Sequence, residues 1–145
     1  MGKRVLIADD SANTRGILKF MLQNQGFELI EATDGEEVLV KAVAHKPDLI
    51  ILDGMMPKKT GFVACNELKQ DPKTSSIPVI LLTAIAQAEP GRDWAKESPA
   101  DKFMAKPFQM KDLIVAVESL LKVSPAGKAE MDPRPYGTVI RPKST

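Results

Sequence analysis

Leu49-Ile50-Ile51-Leu52-Asp53 is a row of four branched apolar residues closed by a carboxylate, and its reading decides the fold. A strand with one wet face alternates apolar and polar residues, whereas a strand covered on both faces is apolar throughout. The run is too short for a buried helix, so it is expected to be an inner strand of a parallel sheet. Outward from it, Val5-Leu6-Ile7-Ala8 and Val79-Ile80-Leu81-Leu82 have the same character. Phe27 to Ala32 and Lys102 to Ala105 are weaker versions, suited to the flanks of that sheet.

The intervening segments carry the helical period. Leu113, Ile114, Val117, Leu120 and Leu121 make one apolar stripe, and Ile17, Leu18, Met21 and Leu22 make another. The second stripe follows Ser11 and Asn13 as candidate N-caps and precedes Gly26 as a stop. Asp34 can cap a helix beginning Gly35-Glu36-Glu37, with Val38, Leu39, Ala42 and Val43 facing inward. Gly61 to Gln70 is a further helix, and a shorter one is expected between Glu89 and Glu97, where Pro90 fits a first turn. Strand then helix, five times over, predicts an α/β fold. Right-handed crossovers leave few ways to wind it, and of these the one expected is a flavodoxin-like (βα)5 three-layer sandwich with a parallel five-stranded sheet in the order 2-1-3-4-5.

The chain's 145 residues suit one domain, with 20 basic and 19 acidic residues and a formal charge of +1. That balance gives no general attraction to nucleic acid or to an anionic membrane, so neither is expected as a partner. Cys65 is the single cysteine, which rules out an internal disulfide, and it reads as a half-buried helix residue. The apolar run after Met1-Gly2-Lys3-Arg4 is too short for a signal peptide or a span, and a cytoplasmic location is expected. Residues 1–122 are read as the domain. Residues 123–145, with Pro125, Pro133, Pro135 and Pro142, are read as a flexible tail. Within the tail, Pro133 to Arg141 could instead dock on a partner or add a strand to an exposed sheet edge.

In an open parallel sheet, ligands bind at the carboxyl ends of the strands. Asp9 and Asp10 follow the first strand and Asp53 follows the third, so three carboxylates are expected to meet if those strands are neighbours. Such a group needs protons or a cation, and magnesium suits all-oxygen ligation by few carboxylates. Thr83 ends the fourth strand with a hydroxyl, and Lys106-Pro107 follows the fifth with an ammonium. Acids, a metal, a hydroxyl and a lysine match a phosphoryl group. No Ser-His arrangement and no pair of acids with glycosidase spacing is evident.

Asp9-Asp10, then Leu52-Asp53-Gly54-Met55-Met56-Pro57, Gly61, Thr83-Ala84 and Lys106-Pro107-Phe108 together resemble the CheY-like receiver domain of two-component response regulators. The resemblance covers residues 3 to about 122. It implies that Asp53 is the nucleophile that takes a phosphoryl group from a histidine kinase or phosphotransfer protein. It implies that Asp10, Asp53 and the Met55 backbone carbonyl hold Mg2+, with Asp9 contributing directly or through water. Lys106 would pair with the phosphoryl oxygens and Thr83 would hydrogen-bond to one of them. As Thr83 moves, Phe103 would take the space it leaves and alter the face formed by the fourth helix, fifth strand and fifth helix, where a downstream protein binds. A cis peptide at Lys106-Pro107 would project the lysine into the site.

The sequence departs from the family in places. Phe103 lacks the hydroxyl that many relatives carry there, and Ser98-Pro99-Ala100-Asp101 replaces a glycine before the fifth strand. Met55 and Ile85, both apolar, occupy positions that in the family govern access of water to the acyl phosphate, so slow self-dephosphorylation is expected. His45, at the end of the second helix, reads as structural, and Trp94 could face a partner or pack beneath its helix. The expectation is a stand-alone receiver that is not an enzyme toward other molecules and works through protein contacts. The rivals are an unphosphorylated docking scaffold and an aspartate-dependent phosphatase. The phosphatase would want an acid where Met55 stands.

Overall fold

Apolar continuity becomes burial on both sides. In a computed structural model that describes residues 3–84, 99–106, 108–121 and 139–140, all five residues of the strand Leu49–Asp53 are buried. The strands are β1 (Arg4–Ala8), β2 (Glu28–Ala32), β3 (Leu49–Asp53), β4 (Val79–Ala84), β5 (Lys102–Lys106) and β6 (Val139–Ile140). The helices are α1 (Ala12–Gln23), α2 (Gly35–His45), α3 (Gly61–Gln70) and α4 (Met110–Leu121). The sheet runs β2-β1-β3-β4-β5-β6, with the first five strands parallel in the expected order. The helix expected over 89–97 lies outside the described residues, as do Ile85, Trp94 and Pro107.

Alternation within each strand sends side chains to two cores. Leu6, Ala8, Ile50, Leu52, Val79, Leu81 and Phe103 pack with α2 and α3 through Val38, Ala42, Ala64, Cys65 and Leu68. Val5, Ile7, Leu49, Ile51, Ile80, Leu82 and Met104 pack with α1 and α4 through Leu18, Met21, Leu22, Leu113 and Val117. The result is the three-layer sandwich. Cys65 is completely buried rather than half-buried, because it faces the sheet from the inner side of α3.

The helix starts follow local hydrogen bonding. Ser11 caps α1 by accepting from the Thr14 N–H, and Thr60 caps α3 in the same way toward Val63. Asp34 caps α2 through the Glu37 N–H at 2.8 Å, while the Glu37 carboxylate reaches back to the Thr33 N–H at 2.8 Å. The segment before β5 is tied down by Asp101, which accepts from the Val79 N–H at 2.8 Å and from Lys69 Nζ at 2.9 Å.

The sixth strand comes from the segment read as a flexible tail. Val139 and Ile140 pair antiparallel with Phe103 and Lys102, so the chain adds a short strand to the edge of its own sheet. That was the alternative left open for the stretch 133–141. No helix among the described residues is long and apolar enough to cross a membrane.

Candidate functional site

The site begins with a register. β1 and β3 are adjacent and pair Ala8 with Leu52, so the residues that follow, Asp9 and Asp53, stand side by side at the carboxyl rim. Asp9 and Asp53 are buried, whereas Asp10 is exposed. One carboxylate oxygen from each of Asp9, Asp10 and Asp53 lies within 4.8 Å of the others. The three acids therefore meet as the sequence predicts, and oxygen donors this close fit a hard divalent cation such as Mg2+.

Lys106 enters from β5, two strands away. Its Nζ lies 3.1 Å from Asp53 Oδ1 and 3.2 Å from Asp9 Oδ2. Burial alone would pull the ammonium toward neutrality, but Asp53 and Asp9 outweigh it and hold the lysine pKa above its ordinary value. One ammonium does not neutralise two buried acids. Burial, with the charge of Asp9 added, pushes the Asp53 carboxyl up from 3.8, against the opposing pull of Lys106 and of the Met55 N–H that donates to it. Asp53 is thus a carboxylate whose charge is under-compensated in the absence of a further cation.

Other predicted residues take distinct places. Thr83 is half-buried on β4, one residue beyond Leu82, the register partner of Asp53. Thr83 pairs with Ala105 and Leu81 with Phe103, so Thr83 and Phe103 share a face of the sheet. Phe103 is 5% exposed and already belongs to the core between the sheet and α2–α3. Met55 is half exposed on the loop beside Asp53, where an apolar side chain meets water without a hydrogen-bonding group.

The loop that carries Met55 is held close to the nucleophile. The Gly54 N–H donates to Leu82 O at 2.8 Å, and the Gly61 N–H donates to Gly54 O at 2.9 Å. A Cβ on Gly61 would collide with the backbone carbonyl of Asp53, so the start of α3 approaches the acid strand only because this residue has no side chain.

Sequence reasoning did not find Arg15. On the first turns of α1 its Nη1 donates to the Asp9 backbone carbonyl at 2.8 Å, and its Nε pairs with Glu31 Oε1 at 2.9 Å. The available signal was a basic residue about one turn into the helix that follows the acid pair.

A family model described as "Response regulator receiver domain" matches residues 5–118. The chain is 37% identical over 124 residues to the alkaline phosphatase synthesis transcriptional regulatory protein PhoP of Bacillus subtilis, covering 86% of this chain and 50% of that protein. It is 33% identical over 144 residues to the phosphate regulon transcriptional regulatory protein PhoB of Pseudomonas aeruginosa, covering 99% of this chain and 62% of that one. The chain therefore spans half to under two thirds of the length of these curated relatives. Among solved structures, the signal receiver domain of a signal transduction histidine kinase from Syntrophus aciditrophicus superposes with a TM-score of 0.78 at 32% identity, covering 93% of this chain and all of that one.

Proposed function

The chain belongs to the response regulator receiver domain family, and from that premise we propose that Asp53 accepts a phosphoryl group beside Mg2+ as the input of a signalling switch. The observation that carries this reading is the convergence of Lys106 on both Asp9 and Asp53, at 3.2 and 3.1 Å. A lysine drawn from the fifth strand onto an acid pair supplies the cationic partner that a phosphoryl oxygen needs.

In this reading a carboxylate oxygen of Asp53 attacks phosphorus while the bond from phosphorus to the donor histidine nitrogen breaks. The donor leaves as neutral imidazole after taking a proton from water. Asp10, Asp53 and the Met55 carbonyl would hold Mg2+, with Asp9 beside them. The ion would supply charge neutralisation at the phosphoryl oxygens. Lys106 would keep one phosphoryl oxygen paired, and Thr83 would donate its hydroxyl to another. Phe103, on the Thr83 face, would alter the surface formed by the helix expected over 89–97, β5 and α4.

The partners proposed are a histidine kinase or phosphotransfer protein upstream and a protein target on the face of the helix expected over 89–97, β5 and α4. That face carries β6 on its strand edge. A cytoplasmic location goes with this role. The stand-alone expectation remains an expectation, since the relatives are transcriptional regulators longer than the matched stretch.

Intact mass measurement after treatment with acetyl phosphate tests the proposal. The expected result is a gain of one phosphoryl group with Mg2+, and none without Mg2+ or in Asp53→Asn. An unmodified wild-type chain would return the protein to the docking-scaffold reading.

A further inference from the structure

The turn that carries Asp9 and Asp10 is fixed at three of its polar groups. The Asp9 N–H donates to Ala32 O at 3.2 Å, and Asp9 Oδ1 accepts from the Ser11 N–H at 2.9 Å. The third is the Asp9 carbonyl, which takes the Arg15 guanidinium at 2.8 Å. That guanidinium is itself fixed, since its Nε pairs with Glu31 Oε1 at 2.9 Å while Lys19 Nζ holds the other Glu31 oxygen at 2.9 Å. The Arg15 side chain is 17% exposed, so the fork is shielded from competing water. One planar group thus locks three elements together: the end of β1, the body of α1 and the fourth residue of β2.

We propose that Arg15 is a positioning residue for the cation site, bracing the Asp9–Asp10 turn so that its carboxylates are presented to Mg2+, with Glu31 anchoring the brace. The inference rests on the reading of the acid cluster as a Mg2+ site. Two effects of Arg15 on that site have opposite sign. As a positive charge one hydrogen bond from the acids, it repels an incoming cation, so charge alone makes its removal tighten Mg2+ binding. As a brace, it holds the backbone from which Asp9 and Asp10 project, and its removal weakens binding. Geometry favours the brace, because the charge is already offset by Glu31 at 2.9 Å whereas the bond to the Asp9 carbonyl has no substitute on that oxygen among the bonds described. Losing an outer partner of a metal ligand weakens metal binding by about 10–100-fold. Arg15 acts one bond further back, on the backbone, so roughly tenfold is expected.

The test is calorimetric titration of the full chain with MgCl2 alone, with thermal melting as a check of folding. Arg15→Ala is expected to bind Mg2+ roughly tenfold more weakly. Arg15→Lys keeps the charge and loses the two-pronged geometry, so it should also weaken binding, by a smaller factor. In acetyl phosphate reactions the Mg2+ concentration for half-maximal rate should rise in step, while the rate at saturating Mg2+ falls less. If wild type binds Mg2+ and Arg15→Ala binds it equally or more tightly, the brace is overturned and charge is the dominant effect. Should Arg15→Ala fail to fold, Arg15→Lys decides, with unchanged affinity counting against the proposal. Wild type that takes up no Mg2+ would overturn the cation site and the brace together.

Discussion

Lys106 shows how one residue sets the behaviour of the acid cluster. It is the described cation that contacts both Asp9 and Asp53, so replacing it leaves two buried acids facing each other. The Asp53 carboxyl already sits above 3.8 because it is buried beside Asp9, and loss of Lys106 raises it further. A group whose folded pKa is raised stabilises the fold below its ordinary pKa and costs stability as pH climbs through the raised value. Lys106→Met should therefore be roughly 1–3 kcal/mol less stable than wild type near neutral pH, with a smaller deficit toward pH 4. Added Mg2+ should restore more stability to the variant than to wild type. Chemical denaturation across that range, with and without MgCl2, measures both effects. Met55 supports a second expectation at this scale. Its exposed thioether can neither orient nor deprotonate a water, so Met55→Asn should speed loss of the phosphoryl group severalfold, read as phosphate release after donor removal. The acids, Lys106 and Thr83 were legible in the sequence because each stands at or beside the carboxyl end of a strand. Arg15 was not, because its role depends on a carbonyl that no pattern of side chains reveals.

At the level of elements, most of the fold could be read from periodicity, and the exceptions have physical causes. Residues 61–70 form the expected helix, and the three continuous apolar runs are β1, β3 and β4, all inner strands of the sheet. Asp34 was visible as a cap, but the second half of the arrangement, Glu37 reaching back to Thr33, extends one residue outside the helix. Lys41 pairing, followed by the Thr33 N–H, holds the Glu37 carboxyl down at about 2. A depressed carboxylate stabilises the fold above its ordinary value of 4.5, and that contribution disappears as pH falls toward 2. Glu37→Gln should flatten the acid limb of the stability profile, being less stable than wild type near pH 6 and converging with it toward pH 2, in melts collected from pH 2 to 6. Asp34→Ala should lower stability by about 1 kcal/mol near pH 6, read in the same melts, because it strips the N-cap of α2. Cys65 was misread as half-buried because a single small residue carries no signal for depth within an apolar stripe.

For the whole molecule, among the described residues every member of the two cores lies within residues 4–121. A chain ending at residue 122 should consequently melt cooperatively and accept a phosphoryl group on Asp53 as the full chain does, in paired thermal melts and acetyl phosphate reactions. Loss of either property would mean that the last segment belongs to the domain. The pairing of Val139 and Ile140 with β5 lay beyond reliable reading because a strand of two residues has no periodicity, and the partner edge is known only once the sheet is assembled.

That short pairing changes how copies of the molecule can meet. A sheet left open at both borders invites end-to-end growth, neighbour stacking on neighbour through the backbone. Here the chain's own β6 covers two residues of β5, so the sheet is bordered by that two-residue strand at one end and by β2 at the other, where Glu28 and Glu31 stand within five residues. There Glu28 is answered by Arg4, and Glu31 by Arg15 and Lys19, so the border is lined with charged pairs that discourage a second strand from joining it.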